Sequence, residues 1–240
     1  MRLDILLAQA HISRKKMKQA LLKKKILVDD CPARKLSQNV DTGLQTITIE
    51  EQPVLGKPHQ YFMMNKPLGV VTANSDAKFQ TVLDLIRPED FSEDLYSVGR
   101  LDRDTSGLLL ITDNGPLGFL LLHPQYHVTK TYEVEVNGLL DGQAVQSFQK
   151  GIVFLDGTIC KPATLTIRSS SSNKSRATVT ISEGKFHQIK KMFLTVGVKV
   201  TSLKRTHFGD FELEPNLAAG EYRVLNQAEL EIVMHYLEKS

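Results

Sequence analysis

Gly99-Arg100-Leu101-Asp102-Arg103-Asp104-Thr105-Ser106-Gly107-Leu108-Leu109-Leu110-Ile111-Thr112-Asp113-Asn114-Gly115 is the stretch on which the fold and the chemistry turn. Four charged side chains between Arg100 and Asp104 stand directly ahead of the apolar run Leu108–Ile111. A carboxylate on a loop anchored by a buried strand is held in place by that strand, which is what an active site needs. The rival reading is a calcium loop. Asp102, Asp104, Ser106, Gly107 and Asp113 fall at its positions 1, 3, 5, 6 and 12. Against it, Asp113 is shorter than the glutamate that binds calcium with both oxygens, Pro88 to Val98 shows no helical period, and Leu108–Ile111 reads as strand. Asp102 and Asp104 are also a poor acid–base pair for glycoside hydrolysis, since such pairs come from separate elements about 5–9 Å apart.

Around this stretch, short β-branched runs dominate. Strands are expected at 61–65, 70–73, 107–112, 131–137, 152–155, 163–167, 177–182 and 198–203, with Asn137-Gly138 and Asp156-Gly157 as turns. Helices are expected at 81–86, 117–122, 141–150, 187–196 and 228–239, the last opened by the capping-box pattern Asn226-x-x-Glu229. Strand and helix do not alternate regularly, so the class is α+β with a mixed, mainly antiparallel sheet flanked by helices. Near the N-terminus, Leu3, Ile5, Leu6, Leu7 and Ala10 suggest a short helix, and Ser13 caps a second with Met17, Ala20, Leu21 and Leu22 on its apolar side. Ile26–Val28 and Leu44–Ile49 read as strands. Pro53, Gly56 and Pro58 mark a linker, which divides the chain into 1–52, a linker at 53–59, and 60–240. Ser169–Ser175 reads as a polar hairpin tip.

The net charge of the 240 residues is only +3, but it is concentrated. Residues 1–52 hold ten Lys/Arg against six Asp/Glu, and no acid lies between Ile5 and Val28. Arg14, Lys15, Lys16, Lys18, Lys23, Lys24 and Lys25 fall within twelve residues. A run of one sign has no i,i+4 partners to relieve its repulsion. A polyanion relieves it and releases counterions, so nucleic acid is the expected partner. No stretch approaches the ~20 apolar residues of a membrane span. An acid at Asp4 and the basic segment after it are unlike a signal peptide. Two distant cysteines, Cys31 and Cys160, form neither a disulfide framework nor zinc spacing, so a reducing cytoplasm is expected.

The stretch Gly99–Gly115 resembles the catalytic signature of the pseudouridine synthases, Gly-Arg-Leu-Asp-x-x-Thr-x-Gly-Leu-Leu, in the Rsu branch that modifies ribosomal RNA at single sites. Asn65-Lys66-Pro67-Leu68-Gly69 is similar to the family's opening motif, Lys130-Thr131-Tyr132-Glu133-Val134 to its tyrosine motif, and Glu183–Met192 to its third block. Arg2-Leu3-Asp4, Ser13-Arg14 and Val28-Asp29 resemble the small RNA-binding domain first known from ribosomal protein S4. There the usual Val-Asn-Gly ending is replaced by Val28-Asp29-Asp30, expected to be a tolerated turn substitution. Where large-subunit members commonly carry Arg, this chain has Lys190, which resembles the 16S rRNA branch.

The resemblance implies an S4-like domain, a pseudouridine synthase catalytic domain, and isomerisation of uridine to pseudouridine. No metal or cofactor is implied, because neither redox change nor net hydrolysis occurs. Asp102 would be the essential carboxylate, by covalent attack on the sugar or base or by removing a sugar proton. Burial alone disfavours its charged form, and Lys190 is the candidate cation that offsets this. Tyr132 would lie against the flipped uracil and help remove the C5 proton. The target must leave its stack to reach the pocket. Arg100 would be a wedge or phosphate contact. Lys66, Lys185, Lys191, Lys204 and Arg205, with Arg14, Lys15 and Lys18 of the basic segment, would be RNA contacts. The expected partner is ribosomal RNA, with 16S favoured and a small-subunit assembly intermediate as one form of substrate, and a monomeric enzyme with no membrane contact. A 23S rRNA synthase and a non-catalytic ribosome-assembly factor are the alternatives.

Bland readings stand beside these. Tyr132 on an alternating strand suits a core or rim. Arg100, Arg103 and Asp104 suit a loop salt-bridge set. His123 and His127 lack a third metal ligand, His187 and His207 are RNA-facing or structural, and Phe186 suits either core packing or a base stack.

Overall fold

The computed structural model describes residues 1–238. The N-terminal residues form α1 (Leu3–Gln9) and α2 (Arg14–Leu22), then β1 (Ile26–Val28), β2 (Cys31–Pro32), β3 (Ile47–Ile49) and β4 (Gln52–Pro53). Leu3, Leu6 and Leu7 share one face of α1 at helical spacing and are fully buried with Met17 and Ala20 of α2. Ser13 caps α2, its Oγ accepting from the Lys16 N–H at 3.3 Å. The strands form an antiparallel sheet in the order β2-β1-β3-β4.

Both of its tight hairpins turn on pairs of left-handed acidic residues, Asp29 and Asp30 (φ 50° and 61°) and Glu50 and Glu51 (φ 50° and 69°). Two-residue hairpins of this hand require positive φ at both central positions. Asp29 offsets part of the strain by accepting from the Thr46 N–H at 2.8 Å and Gln45 Nε2 at 3.1 Å. The linker expected at 53–59 begins too early, because Pro53 pairs with Thr48 in β4 and Val54 is buried in the core with Ile47 and Ile49.

The remaining strands are β5 (Tyr61–Lys66), β6 (Tyr96–Val98), β7 (Ser106–Thr112), β8 (Lys130–Val136), β9 (Thr164–Ser170), β10 (Ser175–Ile181), β11 (Val200–Phe208), β12 (Phe211–Glu212) and β13 (Tyr222–Val224). They make one mixed sheet in the order β13-β5-β7-β11-β8-β10-β9, with β6 on β7 and β12 on β11. The pairing of β7 with β11 is parallel, while β11 with β8, β8 with β10 and β10 with β9 are antiparallel. The helices are α3 (Gly115–Leu122), α4 (Gly142–Lys150), α5 (Gln188–Thr195) and α6 (Gln227–Glu238). The box at the start of α6 closes reciprocally, Asn226 N–H to Glu229 at 2.8 Å and Glu229 N–H to Asn226 at 3.0 Å. The expected strands at 70–73 and 152–155 reduce to single bridges, Val71 with Thr81 and Val153 with Ile159, and the helix at 81–86 to one 3₁₀ turn over Leu83–Leu85.

Contacts divide the chain into two units. One comprises Met1–Tyr61, Thr112–Leu120 and the stretch from Val224 on; the other comprises Phe62–Ile111 and Leu121–Arg223. Two stretches that linear order assigns to 60–240 therefore cluster with the N-terminal residues. Within the second unit, Tyr132, Val134 and Val136 of β8 pack with Ile189, Met192 and Phe193 of α5 and with Phe148 of α4. Gly107 is required where β7 meets β11. Its φ is +104°, and a Cβ there would lie 2.2 Å from the Arg205 carbonyl oxygen.

Candidate active site

The loop after Gly99 is tied down from one side by the Asn65–Gly69 motif and its continuation. Lys66 Nζ donates to the carbonyls of Pro67 and Thr105, each at 2.9 Å. The Gly69 N–H donates to the Arg103 carbonyl at 2.8 Å. Thr72 Oγ1 donates to the Leu101 carbonyl at 2.9 Å and accepts from the Leu101 N–H at 3.2 Å. With β7 anchoring the far end, the backbone on both sides of Asp102 is fixed. The strand over Ser106–Thr112 also removes the helix–loop–helix geometry that the calcium reading needed.

Helix α5 brings the counter-charge. Lys190 Nζ lies 2.7 Å from Asp102 Oδ2 and 2.5 Å from Asp104 Oδ1. One turn earlier, His187 Nε2 lies 3.6 Å from Asp102 Oδ1. His187 caps the helix in the left-handed region at φ 53°, a costly conformation for a side-chain-bearing residue. The turn before it is braced by Gln188, which accepts from the Lys185 N–H at 2.8 Å and donates to Glu183 at 2.7 Å. Burial pulls the Lys190 ammonium down, but its hydrogen bonds to Asp102 and Asp104 prevail and hold it above the usual lysine range. Asp104 lies below the usual carboxylate range, chiefly through its hydrogen bond to Lys190.

On β8, Tyr132 is 7% exposed, and its cross-strand partner on β11 is Arg205. The Arg205 guanidinium hydrogen-bonds the Tyr132 phenol, and its Nε donates to the Leu108 carbonyl at 2.8 Å. Asp102, Tyr132, Lys190, Lys130, Arg100 and Arg205 all line one cleft of about 830 Å³. The cleft thus gathers a carboxylate, a phenol and several cations around room for a nucleotide.

The structure brings together Asp102, Tyr132 and Lys190, residues widely separated in sequence. It corrects two expected contacts to the RNA backbone. Lys66 is fully buried and Arg205 is 2% exposed, so neither presents its charge to a phosphate backbone. Lys66 instead braces the catalytic loop. Burial lowers its ammonium to about 8, against the pull of Asp102 and Asp104. Arg100 is exposed at the cleft, Lys185 pairs with Glu183, and Lys191 lies 3.4 Å from Asp156. Arg103 stacks its guanidinium 4.1 Å over the Phe79 ring. Arg14, Lys15 and Lys18 are exposed on α2. Phe186 is 69% exposed and stacked on His187, which excludes the core role.

Three residues that the sequence reading leaves outside the catalytic set lie at or beside the site: Asp104, in the ion pair with Lys190, His187 and Lys130. Each had a signal. Asp104 lies two residues from Asp102 on one loop, His187 precedes Lys190 by one helical turn, and Lys130 shares a strand face with Tyr132 at the two-residue period.

A braced carboxylate paired with an ammonium, in one cleft with a phenol carried on an interior strand of a mixed sheet, suits an enzyme that rearranges a nucleoside without a metal-ligand cluster among the described residues. Residues 60–195 match the RNA pseudouridylate synthase family. The chain belongs to that family, and its activity is isomerisation of uridine in RNA to pseudouridine. It is 40% identical over 234 residues to the uncharacterized RNA pseudouridine synthase YtzG of Bacillus subtilis, covering 97% of this chain and 98% of that protein. It is 36% identical to the ribosomal small subunit pseudouridine synthase A of Yersinia pestis, covering 96% and 97%. A crystal structure of a pseudouridylate synthase superposes with a TM-score of 0.68 at 32% identity, over 97% of this chain and 99% of that one.

Proposed function

We propose that this enzyme converts one uridine of 16S ribosomal RNA to pseudouridine, with Asp102 as the essential carboxylate. The observation that carries this reading is the Lys190–Asp102 contact of 2.7 Å at the cleft that also holds Tyr132. In the reaction the N1–C1′ bond breaks, the base turns, and C5 bonds to C1′. The C5 proton leaves and N1 gains one, so atoms and charge balance without an external electron donor. Covalent attack and sugar-proton removal both need a carboxylate held against the nucleoside, and the braced loop supplies that. Lys190 would supply the neutralising charge, and Tyr132, which lines the same cleft, would help take the C5 proton. The target nucleotide must leave its stack to enter, and Arg100, exposed on the cleft lining, would meet the backbone or the vacated position.

The choice of 16S RNA is supported by Lys190 in place of arginine and by the likeness to small-subunit synthases. Residues 1–52 are read as an S4-like RNA-binding domain that uses Arg14, Lys15 and Lys18. These exposed cations lie on a helix without an acid in its sequence.

The test uses 16S transcript carrying tritium at uridine C5. The full-length protein is expected to release tritium, and Asp102→Asn to release none while keeping its melting temperature within a few degrees. Release only from 23S transcript would overturn the substrate choice. Undiminished release by Asp102→Asn would overturn the role of the carboxylate.

A further inference from the structure

Four cations that line the cleft, Arg100, Arg103, Lys130 and Arg205, make no ion pair with an acid among the described residues, and of these only Lys130 and Arg205 are withdrawn from solvent. Arg205 is 2% exposed; its polar partners are the Leu108 carbonyl and the Tyr132 phenol, and its Nη2 has no partner among the described residues. Lys130 donates to the Val128 carbonyl at 2.9 Å. Both lie against the ring of Phe208, the Arg205 guanidinium 4.8 Å and the Lys130 ammonium 5.2 Å from its centre. Burial lowers both groups, and the Arg205 charge adds to the lowering of Lys130, to about 8. Burying two like charges side by side is unfavourable unless something negative arrives. Thr105 Oγ1, also on the cleft lining, is a further buried polar atom with no partner among the described residues.

The Asp102 end is the opposite case, with two carboxylates around one ammonium. The cleft therefore holds two kinds of cation: Lys190, matched by Asp102 and Asp104, and Arg205 and Lys130, which make no ion pair. We infer that Arg205 and Lys130 form the subsite for the negative charge that develops on the uracil ring as the N1–C1′ bond breaks. The inference rests on the reaction proposed above. The bonding pair leaves with N1 and spreads over O2 and O4, while electron deficiency at C1′ faces the carboxylates. Attack on the sugar, removal of a sugar proton and addition to the base all place negative charge on the ring. The subsite thus serves each route. Fixed cations in a buried site stabilise such charge without reorganising at the moment of reaction. Lys130 and Arg205 would act on the reacting base itself.

The test compares two free bases on the full-length protein at pH 7.5 by calorimetry. One is uracil, neutral at that pH. The other is 6-azauracil, a near-isostere that ionises near neutrality. Binding of 6-azauracil at least tenfold tighter than uracil is expected, and Lys130→Met should shrink that ratio at least threefold. Equal affinities, no binding of 6-azauracil, or an undiminished ratio in Lys130→Met would overturn the subsite. If Lys130→Met does not fold, the wild-type ratio decides alone. Tritium release from RNA without this preference would remove the subsite only. The preference without tritium release from any RNA would remove the reaction on which it rests.

Discussion

Helix α2 and the cleft are both rich in lysine and arginine, yet their cations meet different surroundings. On α2, Arg14, Lys15 and Lys18 are exposed, and Lys16 reaches Glu50 at 3.1 Å with both side chains about half exposed. In the cleft, Lys190 is shared by two carboxylates, Lys185 is held by Glu183, and Arg205 is enclosed. Solvated charges of one sign attract a polyanion at long range and are screened by salt. Enclosed charges act over a few ångströms, fix geometry and stabilise charge formed in the reaction. Residue type alone does not distinguish the two roles; burial and partner do.

The sharpest way to break this contrast is Lys190→Met. It should lower tritium release at least a hundredfold by removing the charge beside Asp102. Stability should fall by about 1–2 kcal/mol, less than the ~3–5 kcal/mol of a fully buried pair, because the side chains of Lys190 and Asp102 are 24% and 31% exposed. Retained activity with a normal melting curve would make Lys190 an ordinary surface cation.

Next in size is the combined change of Arg14, Lys15 and Lys18 to alanine. Affinity for 16S transcript should drop, and the slope of log affinity against log salt should flatten by about 2–3. Thermal stability should move by no more than about 0.5 kcal/mol. An unchanged salt slope would place the RNA contacts elsewhere.

The smallest effect is a pH trend. The Lys66 ammonium is held at about 8 in the folded chain against its ordinary 10.5. Between those values the unfolded chain binds a proton that the folded chain has shed, so stability gains from Lys66 as pH rises through that window. Below about pH 8 both states are charged and the contribution is flat. Melting temperatures of Lys66→Met between pH 7.5 and 10 should show a weaker rise, or a steeper fall, than wild type. Parallel curves would mean that Lys66 is not desolvated as described.

Local devices were legible in the sequence. The Ser13 cap, the Asn226–Glu229 box and the strand after Gly107 follow from rules acting over a few residues, and all are present. The Val28-Asp29-Asp30 departure is accommodated by placing both aspartates in the left-handed region. Strands at 70–73 and 152–155 were overread because β-branched runs carry propensity but cannot reveal whether a partner edge is available. Lys66 and Arg205 were misread for a related reason. A basic residue is exposed by default, and only the packing of β5 and β11 encloses them.

Contiguous patterns identify the residues chemically able to act: the Gly99–Gly115 stretch, the Lys130–Val134 strand and the Glu183–Met192 block are each read without knowing the fold. The one-signed charge of α2 is likewise a matter of composition within one helix. Folding is what makes Lys190 meet Asp102 and Asp104, brings His187 beside them, and leaves Arg205 and Lys130 at the cleft without an ion pair. Those relations join positions as far apart as 86 and 88 residues in sequence. Their electrostatics depend on distance and burial, which exist only once the sheet has brought the segments together.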